Sequence, residues 1–237
     1  MTISGRILSL FRPRTLVQKA VHGILITTIT RGFLLFGSAG TLSYWQAWTH
    51  LAILAALLSL TAGFLWKTDR PLLARRLIAG PGAEQQADQK MVQRLTAIGL
   101  IILLIAAGLD RRLGPSIAPI WMLVLGNGAI LLGHLIIALV FKENSFASST
   151  IEIAQGQRVI AAGPYSLVRH PMYFGMLLAT LGTPLALGSC YGLIPSFGIV
   201  LATRARLLSE ERFLSKSLPG YNAYCRHVRY RLVPYIW

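Results

Sequence analysis

The chain has 237 residues, 54% of them hydrophobic and only 13% charged, with a mean hydropathy of +0.58. A soluble domain carries about a quarter charged residues, so the composition excludes an ordinary soluble fold and reads as a multi-spanning membrane protein. The net charge of +15 would suit a nucleic-acid binder, but the basic residues flank apolar blocks as loops between membrane spans do, which excludes that partner.

In chain order, residues 1–20 contain Arg6, Arg12, Arg14 and Lys19 and no long apolar run. This predicts a basic, interfacial arm rather than a cleaved signal peptide. The first apolar block covers 20–40 and is interrupted by Arg31; the second covers 45–66. The polar segment KTDRPLLARRLIAGPGAEQQADQK predicts a loop with an interfacial helix. The third block is 91–109 and, after DRRLGPSIAP, the fourth is 120–141. Each approaches the roughly 20 residues that cross a bilayer. Gly126 and Gly128 sit inside the fourth block, without the strand-to-helix context of a nucleotide-binding turn, and predict close helix packing instead. A charge inside a span is costly, which makes Arg31 notable. His22, His50 and His134 fall in or near different spans without metal-ligand spacing and predict hydrogen bonding between helices. Cys190 and Cys225 form neither a metal spacing nor a disulfide framework.

The polar stretch 142–171 holds two β-like pieces, STIEI and RVIAA, around the turn AQGQ. The apolar region 172–203 is too long for one span and short for two. Pro184, Gly188, Gly192 and Pro195 near its middle predict two short helices in a hairpin. The tail 204–237 is polar and basic again. With the N-terminus in the cytoplasm, the inside segments 1–19, 67–94, 142–171 and 204–237 hold 20 of the 23 Lys and Arg residues, which favours that orientation. The expected fold is an all-α integral membrane protein with four full spans and a C-terminal transmembrane helical hairpin. The protein would be multi-pass in a bacterial inner membrane, with its polar clusters at the cytoplasmic face.

Two clusters carry the chemistry. The first is Tyr165, Arg169, His170 and Tyr173 in GPYSLVRHPMYFG. The second is RARLLSEERF, in which Arg206 and Glu210 share a helix face. A hairpin between the clusters would bring them together. Read separately, Arg206 and Glu210 suit a surface ion pair, Arg169 a snorkelling anchor, and Pro171 a helix-start proline.

GPYSLVRHPMYFG, the hairpin, SEERFL and YNAYCRHVRYRLVPYI together resemble the isoprenylcysteine carboxyl methyltransferase family, related to phospholipid N-methyltransferases. The resemblance covers about residues 142–237, the expected catalytic region with a cytoplasmic cofactor-binding part; residues 1–141 match only as a four-span membrane region. It implies S-adenosylmethionine-dependent methyl transfer. The implied cofactor-binding residues are Gln157, Arg158, Val159, Ile160, Tyr165, His170, Pro171, Met172, Tyr173 and Glu210. Arg206 matches a residue assigned to the methyl acceptor, and Arg169 takes a supporting catalytic role. The implied partners are membrane lipids and an apolar or prenylcysteine-like acceptor, with carboxyl O-methylation favoured. A carboxylate acceptor needs no base. An amine or thiol acceptor would draw on Tyr165, His170 or Glu211. The alternatives are an NADPH-dependent membrane reductase of sterol-reductase type, a lipid amine N-methyltransferase, and a haem-associated membrane protein. Against the reductase, Met176 and Leu177 follow the motif glycine where sterol reductases place an acidic residue.

Overall fold

The computed structural model describes residues 15–84, 86–114 and 118–237. The expected basic arm, with Arg6, Arg12 and Arg14, lies outside the described residues. Among the described residues, eight α-helices follow one another: α1 Leu16–Ala39, α2 Trp45–Thr68, α3 Arg70–Leu77, α4 Ala87–Leu113, α5 Ile120–Glu143, α6 Pro171–Ala186, α7 Leu193–Ser217 and α8 Tyr221–His227. A single 3₁₀ turn, Gly163–Ser166, precedes α6.

Four helices, α1, α2, α4 and α5, are long and apolar enough to cross a membrane. They coincide with the four apolar blocks and extend a few residues beyond them, because helical hydrogen bonding continues into the polar flanks. Phe33, Leu60, Trp121 and Val124 stay largely exposed, as side chains facing lipid do. Helix α1 is continuous through Arg31, so the charge does not break the span. Its start is fixed by a capping box between Thr15 and Gln18, and its end by Gly40 at φ 67°. A helix forms in the segment expected to carry one: at the start of α3, Asp69 accepts from the Leu72 N–H at 2.9 Å and Pro71 occupies the first turn.

The closest helix contact joins α5 and α6. A Cβ on Gly133 would lie 2.4 Å from the Gly175 carbonyl oxygen, and one on Gly182 would lie 2.6 Å from that of Gly126. Both glycine pairs are seven residues apart along their helices, so the backbones touch along one seam. Gly128 meets nothing within 4 Å. Of the two sequence glycines, only Gly126 therefore serves the packing. Helix α4 packs between α1 and α7, and the core there is formed by Leu35, Tyr44, Leu103, Leu104 and Ile199. Tyr44 Oη donates to the Leu187 carbonyl at 2.7 Å, tying the start of α2 to the segment joining α6 and α7.

The two β-like pieces are corrected. Residues 149–153 and 158–162 contain no strand. The turn between them does form, closed by Gln157 N–H to the Ala154 carbonyl at 3.0 Å. The backbone of 148–151 is instead held by side chains distant in sequence. Arg76 donates to Ser148 O at 3.1 Å, Arg206 to Ser149 O at 2.9 Å, and Glu84 accepts from Ile151 N at 3.3 Å. These contacts satisfy backbone groups that a strand ladder would otherwise pair. The segment after α8 folds back on the start of α6: Arg169 N–H donates to Tyr230 O and His170 N–H to Arg231 O, each at 2.9 Å.

Candidate functional site

The Arg-His-Pro motif is placed by the N-terminus of α6. His170 is the N-cap and Pro171 the first helical residue, where a missing N–H costs nothing. Met172 and Tyr173 then project from the first turn. Upstream, Gly163 adopts φ 56° with its α-carbon against the Glu143 side chain, a position that a Cβ would bring to 2.7 Å. This sharp entry sets Tyr165 over the end of α5, where its hydroxyl accepts from Asn144 Nδ2 at 2.8 Å. Tyr224 Oη donates to the Tyr165 carbonyl at 2.7 Å. Burial pushes the Tyr165 phenol up to about 12, so it is neutral at physiological pH.

One cavity gathers nearly all of the sequence-derived cofactor residues. Gln157, Arg158, Val159 and Ile160 form one wall, Tyr165, His170, Met172 and Tyr173 another, and Glu210 a third. Pro171 is buried in the helix start and is not part of the wall. Tyr221, Tyr224 and Leu218 close the cavity from the side of α8, where they pack with Val159 and Ile153. Two buried polar atoms of residues in this wall lack an aligned hydrogen bond among the described residues: Tyr221 Oη and His170 Nε2. Glu211 Oε1 lies 3.4 Å from His170 Nε2, an ion-pairing distance without hydrogen-bond geometry.

The two motif clusters meet across α6 and α7. Tyr173 Oη donates to Glu210 Oε2 at 2.6 Å and accepts from Arg206 Nε at 3.1 Å. Arg206 does not use its position one turn from Glu210 for a direct pair. Its guanidinium instead pairs with Glu84 at 2.6 Å, where the carboxylate is 1% exposed. It also donates to Gln89 at 3.2 Å. Arg169 is fully occupied as a strut: Nε donates to Val228 O at 2.7 Å, Nη2 to Cys225 O at 2.8 Å, and Nη1 to Glu211 at 3.1 Å.

Glu211 is the electrostatic centre on the other side of α7. It takes Arg169 on Oε1 and Arg231 on Oε2, the latter at 2.7 Å. Burial alone would raise its carboxyl, but His170, Arg231 and Arg169 outweigh that and hold it at about 2. A carboxylate so stabilised is a weak base.

A second cavity adjoins the first. Ser148, Thr150, Ile151, Met172, Tyr173 and Glu210 belong to both walls. The second continues along Arg76, Arg206, Thr96, Leu100, Met176 and Thr203. The first is therefore mixed polar and aromatic, and the second carries two arginines beside apolar side chains of α4 and α6.

Glu84 and Arg76 were not visible as site residues in the sequence. Glu84 is one of only eight acidic residues in the chain and lies in a basic loop, and that isolation was the available signal. The scattered histidines stay apart from this site: His50 is buried in α2, and His134 Nδ1 lies 2.9 Å from the Ile130 carbonyl of its own helix. No cluster of His, Cys, Asp and Glu suited to a metal ion occurs among the described residues.

Residues 121–219 match the family described as phospholipid methyltransferase. The resemblance read from the motifs holds over that region, which contains both clusters and α6. A segment of 92 residues is also 32% identical to the Delta(14)-sterol reductase of Mus musculus, covering 37% of this chain and 22% of the reductase. The chain thus matches about a fifth of that relative's length.

Proposed function

We propose, on the premise that this chain carries the phospholipid methyltransferase family region, that it is an S-adenosylmethionine-dependent methyltransferase acting on an apolar or prenylcysteine-like acceptor. Carboxyl O-methylation at the cytoplasmic membrane face is the favoured reaction. In this reading α6 and the first part of α7 form a transmembrane hairpin, and the extension of α7 with α8 is cytoplasmic. The observation that carries the proposal is the convergence of Gln157–Ile160, Tyr165, His170, Met172, Tyr173 and Glu210 on one cavity.

The residues fit the cofactor chemically. Glu210 accepts from an ammonium, and the Tyr221 hydroxyl has no aligned hydrogen-bond partner among the described residues. Tyr165, Tyr173 and Tyr224 supply aromatic faces for an adenine and for a sulfonium. When bound, the cofactor would supply an activated methyl group, and an acceptor carboxylate, already ionised, would need no base from the protein. The protein's contribution is alignment in line with the breaking bond and exclusion of water. Tyr173 stands in the wall shared by the two cavities, and with Arg206, which lines the second and donates to its hydroxyl, it orients the acceptor; Arg169 holds the tail that closes the first cavity.

Two other readings have specific support. The partial likeness to the Mus musculus reductase supports a nicotinamide-dependent reductase, and the description of the matched family supports a lipid amine as acceptor. Calorimetry on the detergent-purified protein separates the cofactor classes. Saturable binding of S-adenosylmethionine without NADPH binding is expected. Binding of NADPH alone would overturn the methyltransferase reading and put the reductase in its place.

A further inference from the structure

A third cavity, of about 370 Å³, lies between α1, α2, α3 and α5. Gly23 and Ile24 line it from α1, Leu58 and Ala62 from α2, and Ile137 and Phe141 from α5. It is apolar except for a few groups, and among the described residues the one charged residue on its wall is Arg76. Arg76 also lines the second cavity, beside Met172, Tyr173 and Glu210. A hydrocarbon-lined space and the reaction zone therefore meet at a single guanidinium.

The two arginines of this zone differ in one respect. Arg206 is neutralised by the buried Glu84 at 2.6 Å. Arg76 has no carboxylate partner among the described residues. Its Nη1 donates to Ser148 O at 3.1 Å and contacts Met172 Sδ at 3.7 Å, and its guanidinium lies 5.0 Å over the Phe141 ring. Nε and Nη2 donate to nothing among the described residues. A guanidinium has five N–H donors in a fork that matches a carboxylate. A cation held away from bulk water without a counter-ion is unfavourable, and an anion arriving there would gain what Arg206 already has.

We propose that Arg76 receives the carboxylate of the methyl acceptor and that the acceptor's hydrocarbon chain lies in the cavity between α1, α2, α3 and α5. This rests on the methyltransferase reading and deepens it: the acceptor is a long-chain carboxylate, and the N-terminal helices bind its chain. Arg76 is then a specificity-determining residue, whereas Arg206, already paired with Glu84, positions the acceptor through Tyr173, to whose hydroxyl it donates.

The test uses cis-parinarate, a fluorescent long-chain carboxylate, and its uncharged methyl ester, titrated into the purified full-length protein. Wild type should bind parinarate at least tenfold more tightly than the ester. Arg76→Gln should remove that preference while S-adenosylmethionine affinity stays within about twofold, and Arg76→Lys should retain part of it. Ala62→Phe, which fills the apolar space, should weaken acid and ester together. Equal binding of acid and ester by wild type would overturn the proposal, as would a preference that survives in Arg76→Gln. Displacement of parinarate by phosphatidylglycerol in preference to palmitate would overturn the carboxylate assignment. If the acid preference depends on Arg76 but S-adenosylmethionine does not bind, the anionic-chain site stands and the methyltransferase reading fails.

Discussion

The hydroxyl of Tyr173 donates to Glu210 across 2.6 Å, and this bond joins the first turn of α6 to the middle of α7. One Glu210 oxygen is thereby committed to the protein, leaving the other for a ligand in the cavity that both residues line. Glu210→Gln removes the charge without changing the shape. A hydrogen bond to a charged group contributes about 1.5–3 kcal/mol, so S-adenosylmethionine affinity should fall roughly tenfold to a hundredfold. Calorimetry that finds unchanged affinity would remove Glu210 from the site.

Arg206→Ala should spare cofactor affinity and abolish or strongly reduce turnover. It also strands the buried Glu84, which costs about 3 kcal/mol of stability when one partner of a buried pair is removed. The double variant Arg206→Ala with Glu84→Gln should recover much of the melting temperature without recovering turnover. A loss of cofactor affinity in the single variant would show that Arg206 belongs to the cofactor side.

Glu211 gives a pH dependence of defined sign. Its carboxyl is held at about 2 in the folded chain, against about 4.3 in an unfolded one. A depressed carboxyl contributes stability that is fully present above the unfolded value and is lost as pH falls through the folded value. Melting temperature should therefore decline between pH 4.5 and 2, and Glu211→Gln, already destabilised at neutral pH, should decline less steeply. A variant with the wild-type acid profile would assign the loss to other carboxylates.

The two native cysteines report the orientation. Cys190 is exposed between α6 and α7, and Cys225 lies on α8 beyond the far end of α7. With a cytoplasmic site, a membrane-impermeant maleimide applied to intact spheroplasts should label Cys190 and not Cys225. Burial raises the Cys225 thiol, so permeabilised, unfolded protein serves as the labelling control. The reverse pattern would place the site on the outside.

The α5–α6 seam should be intolerant of side chains. Gly133→Val sets new atoms against the Gly175 carbonyl, which belongs to backbone and cannot rotate away. Overpacking of this kind costs about 1–3 kcal/mol or more. Gly128→Val, facing open space, should retain the wild-type melting temperature. Equal tolerance at both positions would refute the seam.

Much of this was legible in the sequence because hydropathy reports the solvent, and a bilayer is a strong one. The spans 45–66 and 120–141 need only small extensions to match α2 and α5. The β-like look of STIEI suggests a strand, but residues 149–151 bend and pair with no neighbouring strand. Here the partners are Arg76, Arg206 and Glu84, which local pattern does not connect to residues 148–151. The same blindness hid the Arg206–Glu84 pair: spacing of four along a helix suggests Glu210, while burial beside a loop 122 positions away selects Glu84. The cavity grouping of Gln157 to Glu210 followed instead from the motif resemblance, which encodes long-range proximity that periodicity lacks.

The glycine seam also divides the bundle mechanically. Two helices touching backbone to backbone have little slack, since sliding or parting them would expose carbonyls and break contacts along a full heptad. Helix α1 shares one such contact with α4, where a Cβ on Gly108 would lie 2.6 Å from the Leu35 carbonyl oxygen, but it meets α2 through side chains such as Leu51 beside Gly32. Any doorway for a bulky guest should therefore open beside α2, with α5 and α6 acting as the fixed jamb.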